Sequence, residues 1–203
     1  MAATVTVVEL NAGTNGAPGT YTTLNTNGNG TSRYCNWDNP CIQSLANPCI
    51  IPAANFSYSY WKHHCLNISG TYTQVNNIRW YTDGAIGWNY GANADSGLRI
   101  GQRSSGDNGC PQANYTVAPG TTANGTNFFD ATSGHPYLKN GVGATPSWAQ
   151  NWTSAGTTLI VDTTNYGPNT SNYSKALVSQ VWMSTDATQG VQTAETVTFI
   201  WMW

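Results

Sequence analysis

The sequence predicts an all-β fold of antiparallel strands, and three observations carry that reading. Short runs alternate apolar and polar residues at a spacing of two, which sends successive side chains to opposite faces of extended backbone. Clusters of Gly, Asn, Thr and Ser interrupt those runs with the chemistry of turns. No segment keeps an amphipathic helical period over three turns, so little helix is expected. Together they point to a single antiparallel β-sandwich domain over 1–203, jelly-roll or Ig-like, with long aromatic-rich loops at about 25–54 and 103–156. A chain of 203 residues is long enough to bury a sizeable core.

Ala3 to Leu10 (ATVTVVEL) sets Val5 and Val7 against Thr4 and Thr6, a strand expected to pair with another terminus. A loop, Asn11 to Gly19, and a short strand, Tyr21 to Leu24, follow. The stretch Phe56 to Thr82 organises the rest. Phe56, Tyr58 and Tyr60 alternate with Ser57, Ser59 and Trp61, and Ile78 and Trp80 alternate with Asn77, Arg79 and Tyr81. Strands are expected at Phe56–Trp61, His64–Ile68 and Tyr72–Tyr81, forming the centre of one sheet with aromatics buried on one face and the other face wet. Asp83-Gly84 is a turn signal, and Leu98 to Gln102 makes another strand. Arg103 to Gly156 has little periodicity apart from Ala113 to Val117. The end returns to strands at Thr157–Asp162, Ala176–Met183 and Thr193–Trp203. The loop STDATQGVQ lets the last two run antiparallel, and Val197, Phe199, Trp201 and Trp203 share a face.

Charged residues make up only 8% of the chain, against about 25% in ordinary soluble domains. Cohesion must therefore come from turns, hydroxyl and amide hydrogen bonds, and aromatic anchors. The net charge is −2, and the basic residues Arg33, Lys62, Arg79, Arg99, Arg103, Lys139 and Lys175 are scattered. Without a basic stripe, nucleic acid is not expected as a partner. No apolar run approaches the roughly 20 residues that cross a bilayer, so no membrane is expected either. The opening MAATVTVVELNAG lacks the basic and apolar regions of a secretory signal.

Cys35, Cys41 and Cys49 lie close together in CNWDNPCIQSLANPC, where Pro40 and Pro48 mark turns. One local disulfide among them, or plain buried thiols, is the favoured reading. Zinc competes through His63, His64 and Cys65, yet no CxxC pair is present. Glycoside hydrolysis needs two facing carboxylates. Asp38, Asp83, Asp95, Asp107, Asp130, Asp162, Asp186, Glu9 and Glu195 fall mostly in turn contexts, where Asp serves its own backbone. Cys65 with His135 could form a nucleophile pair, but His63, His64 and Cys65 alternate across a strand, and a strand with partly exposed His is favoured. P-loop, GxGxxG, GxSxG, HExxH and DxDxDG motifs are absent. No enzyme activity, cofactor or metal is expected.

The loop 103–156 carries Phe128, Phe129, Tyr137, Trp148 and Trp152, too many aromatics for a solvated linker. With Trp201 and Trp203 they are the expected interface residues. A strand ending in Trp201-Met202-Trp203 must be central in a sheet or covered by a partner subunit, since an exposed one is an edge-pairing hazard. The alternative is a carbohydrate-binding module or adhesin, with Trp88, Tyr90, Trp148 and Trp152 as the stacking platform.

VTVVELNAG at the start, FSYSYWKHHCLNISGTYTQVNNIRWYTDG in the middle and KALVSQVWMSTDATQGVQTAETVTFIW near the end resemble a group of small tailed-bacteriophage virion proteins. There an aromatic-Lys or aromatic-Arg strand precedes a V-x-N-I-(R/K)-(F/W) strand, and a T-D-A-T-x-G loop leads into T-V-T-F. The resemblance covers about half the chain and implies a β-sandwich with a structural role on the virion. It fits a chain of extracellular composition made in the host cytoplasm without an export signal. The expected function is a non-enzymatic capsid decoration or cement protein, homo-oligomeric and in contact with the major capsid protein or other virion proteins. A tail or neck component is the sub-alternative.

Overall fold

The computed structural model describes residues 3–10, 21–24, 49–83, 91, 96–102, 120–121, 124–130, 147–169, 171–190 and 196–203. Their regular structure is β-strand, apart from a 3-10 turn at Ala149–Asn151, and no α-helix occurs among them. The strands are β1 (Ala3–Leu10), β2 (Tyr21–Leu24), β3 (Ser57–Tyr58), β4 (Lys62–Gly70), β5 (Asn76–Thr82), β6 (Gly97–Gln102) and β7 (Gly120–Thr121). After them come β8 (Asn124–Gly125), β9 (Ser147–Trp148), β10 (Leu159–Asp162), β11 (Asn172–Tyr173), β12 (Leu177–Met183) and β13 (Val197–Met202).

Eight strands form one sheet in the order β2-β1-β4-β12-β6-β9, with β11 added beside β4 and β3 beside β12. A second sheet has the order β10-β5-β13, and β7 and β8 make a small ribbon. Every pairing is antiparallel. The main core draws on both larger sheets. Leu66, Ile68, Leu98, Ile100, Leu177 and Val181 from the first meet Ile78, Trp80, Leu159, Val161 and Phe199 from the second.

The expectation of one central sheet across 56–82 is corrected here, because β4 and β5 lie in different sheets. The turn at Gly70, with φ of +89°, ends β4, and the chain crosses before β5 begins. The crossing is held by paired backbone bonds between Val75 and Tyr166. The expected antiparallel pair of β12 and β13 is corrected for the same reason: β12 is in the first sheet and β13 in the second.

Phe56–Trp61 and His64–Ile68 are two parts of one interrupted strand. Trp182 pairs with Tyr58 and Ser179 with Lys62. Between those rungs residues 59–61 face only residues 180–181, so one extra residue forms a bulge. Ser59 secures it: its N–H reaches the Val181 carbonyl at 2.9 Å, and its Oγ accepts from Val181 N–H at 3.0 Å. Ser57 and Ser59 are buried, which corrects the expectation of a wet polar face. A second bulge lies further along the same side of β4, on the opposing chain. Between Tyr173↔Asn67 and Leu177↔His64, residues 174–176 face residues 65–66. Ser174 spans it, its N–H donating to the Leu66 carbonyl and its Oγ accepting from Leu66 N–H, both at 2.9 Å.

The outer face of the large sheet carries a second cluster, Trp61, Phe128, Val178 and Trp182, with Phe56, Tyr58, Tyr60 and Phe129 against it. Gln180 is its polar centre and is fully buried. Its Nε2 donates to the Ser59 carbonyl at 2.8 Å and the Thr126 carbonyl at 2.7 Å. Its Oε1 accepts from Phe128 N–H at 3.1 Å and the Trp182 indole N–H at 2.9 Å. All four hydrogen-bonding positions of the amide are thus used. The Arg99 guanidinium lies 4.7 Å from the Trp182 ring centroid, close enough for a cation–π contact.

Candidate functional site

Two features stand apart from ordinary core packing. The first is strand β13. It pairs with β5 along one side and with no other strand among the described residues. Phe199 turns into the core, whereas Val197 is 46% exposed, Met202 55% and Trp203 74%. Trp201 is also exposed. β13 therefore presents large apolar side chains at the rim of the small sheet, where an unpaired strand edge can take another chain. Beside them Ile160 and Ile200 flank Arg79 in one cross-strand row. Arg79 is held in place, its Nε donating to Asn77 Oδ1 at 3.0 Å and its NH1 to Thr158 Oγ1 at 3.2 Å. Of Val197, Phe199, Trp201 and Trp203, expected to share a face, only Phe199 is buried.

The second feature is a buried charge cluster. In the β1–β4 ladder Glu9 is directly opposite His64, with Val7 opposite Leu66 and Val5 opposite Ile68. Alternation places Glu9, Lys62 and His64 on the face that carries Leu66 and Ile68 into the main core. Glu9 and Lys62 are completely buried, and His64 nearly so. Lys62 Nζ lies 3.3 Å from Glu9 Oε1, and His64 Nε2 lies 3.1 Å from Glu9 Oε2. His63 and Cys65 point to the opposite face and are also buried, so the expectation of partly exposed histidines is corrected. Pleating separates His64 from His63 and Cys65 as expected. Among the described residues no group of three or more His, Cys, Asp and Glu is arranged to hold a metal ion.

Asp162 has a different task. Its carboxylate accepts from Lys175 N–H at 2.8 Å, Thr164 N–H at 2.9 Å and Tyr166 O–H at 2.6 Å. Lys175 sits in the second bulge, so a carboxylate of the small sheet caps an irregularity of the large one. Burial pushes this carboxyl up, but the three donors outweigh it and hold it below its ordinary range. Burial and the neighbouring carboxylate push the Tyr166 hydroxyl far above the ordinary tyrosine range.

Of the expected interface residues, Trp201 and Trp203 are exposed, whereas Phe128 is fully buried in its own chain. Phe129 packs against Phe128 and Trp152 against the main core. Trp148 contributes backbone to β9, and Tyr137 lies outside the described residues. Cys35, Cys41 and the disulfide expected there also lie outside them, while Cys49 packs against the main core. Trp88 and Tyr90 of the sugar platform, and Asp38, Asp95, Asp107, Glu195 and His135, likewise lie outside the described residues. The buried Glu9–Lys62–His64 cluster was not foreseen. Its signal is parity: Glu9 continues the row of Val5 and Val7, and Lys62 and His64 continue that of Leu66 and Ile68.

Comparison of the chain with protein-family models, with curated proteins and with solved structures finds no match.

Proposed function

We propose that the chain is a non-enzymatic structural protein of a tailed-bacteriophage virion, acting on the head as a decoration protein that strengthens contacts between capsid subunits. Its two larger sheets are read as the halves of a β-sandwich of jelly-roll or Ig-like type. The observation that carries the reading is β13, a rim strand with Val197, Trp201 and Met202 exposed, together with the exposed Trp203 that follows it. Tryptophan in a desolvated pocket is a typical energetic anchor of an interface, and a chain with 8% charged residues meets little electrostatic penalty when its surface is covered. Binding would stabilise the shell by mass action, because only the assembled form presents the site. A closed homo-oligomer supplies several copies of β13 to neighbouring capsid subunits.

The test is solution mass by light scattering, with and without reductant, followed by cosedimentation with intact heads. The expected result is an oligomer that pellets with heads and raises their melting temperature. A monomer that ignores heads and binds polysaccharide overturns the proposal.

A further inference from the structure

Glu9 and Lys62 are separated by 53 positions in sequence and brought together by neighbouring strands. Both are completely buried, and Nζ stands 3.3 Å from Oε1, while His64 Nε2 stands 3.1 Å from the other carboxylate oxygen. Two ions held in a water-poor interior pay a desolvation cost that their attraction often fails to recover. An amide joining the same two side chains carries no charge. We propose that Lys62 and Glu9 are the precursors of an internal isopeptide bond, formed between Lys62 Nζ and Glu9 Cδ with loss of one water, and that His64 is the acid–base group of that step.

The step balances without any other reactant. One proton passes from the Lys62 ammonium to Glu9 Oε1, leaving a neutral amine beside a neutral acid. The Nζ lone pair then attacks Cδ while the carbonyl electron pair moves onto Oε2, which takes a proton from His64 Nε2. The Nζ–Cδ bond is now made. Oε2 returns its proton to His64, its electron pair re-forms the carbonyl, and the Cδ–Oε1 bond breaks. Oε1 leaves as water with its first proton and a second from Nζ. Three protons on nitrogen become one on the amide and two on water.

Each requirement of this reaction has a counterpart in the geometry. Fixed strands hold amine and carboxyl at the separation from which intramolecular reactions gain their large effective concentrations. His64 is placed on the oxygen where negative charge develops. Burial keeps out the water that would reverse the condensation. The bond would tie β1 to β4 at the centre of the large sheet, and it does not depend on the virion reading.

Intact-mass spectrometry of the reduced, denatured full chain tests the proposal directly. The expected mass is one water below that of the unmodified sequence, and proteolysis should yield one branched peptide containing Glu9 and Lys62. Asp83-Gly84 can also lose water by closing to a succinimide, so the branched peptide, rather than the mass alone, is decisive. Lys62→Arg should restore the full mass. His64→Gln, sampled from the first minutes after synthesis, should form the bond about a hundredfold more slowly. Folded wild-type chain that keeps its full mass, or a water loss confined to the Asp83-Gly84 peptide, overturns the proposal. A His64→Gln chain that cross-links at the wild-type rate overturns the role of His64.

Discussion

Replacing Gln180 with Met tests how far one amide holds the outer cluster together. The substitution keeps roughly the volume and removes every polar atom. The carbonyls of Ser59 and Thr126 lose a donor, and the N–H groups of Phe128 and Trp182 lose an acceptor. Three of these four bonds are fully buried. A buried polar group left unsatisfied costs about 1–3 kcal/mol, so the three together cost about 3 kcal/mol at the lower bound. Against a total stability of about 5–15 kcal/mol, that is a large fraction. Urea unfolding of wild type and Gln180→Met, followed by tryptophan fluorescence, reads the difference as a lower midpoint at unchanged slope. Gln180→Glu should be at least as damaging at neutral pH, because it sets a carboxylate against the two carbonyls that the amide nitrogen now serves. A loss below about 1 kcal/mol for Gln180→Met would show that those groups find other partners, and Gln180 would not be the polar centre that holds the outer cluster.

Three further outcomes are expected. Gly125→Ala would bring a Cβ to 2.4 Å from the Ser59 carbonyl oxygen and 2.9 Å from that of Tyr58; backbone cannot yield as a side chain can, so a loss of about 1–3 kcal/mol should appear in the thermal midpoint. Asp162 has its carboxyl held below the ordinary value of 3.8, so its contribution to stability is complete above that pH and disappears as pH falls through the folded value. Asp162→Asn should therefore flatten the acid limb of a stability-versus-pH curve measured by urea unfolding, and an unchanged limb would contradict the assignment. Trp203→Ser should change stability by no more than about 0.5 kcal/mol, as for most exposed sites, while weakening self-association in light scattering; loss of fold would mean that Trp203 supports its own chain.

Alternation was sufficient to read β1, β2 and β6 nearly residue for residue, and β12 to within one. It failed where a single extra residue breaks the period. The bulge at 59–61 splits what looked like an independent strand from β4, and it buries Ser57 and Ser59, whose polarity had suggested water. Partner choice was illegible for a different reason. Nothing local tells β4 to lie between β1 and β12, or β5 to join β10 and β13; that depends on which faces meet across the core. The charge cluster was visible as three polar residues on apolar rows, but only once the register Glu9↔His64 placed them side by side.

The order of strands in the large sheet has a consequence for how the protein is made. Its central strand β4 has β1 on one side and β12 on the other, and β6 can join only through β12. The ladder from β1 to β6 therefore cannot close until residues 177–183 have left the ribosome. Such non-local pairing makes folding slow, because chain entropy is lost before the contacts that repay it form. Until then β4 exposes the edge that β12 will occupy, and Leu66 and Ile68 stay uncovered. Nascent chains should be most prone to aggregate in that interval, and a chaperone that shields strand edges should raise the yield of folded protein.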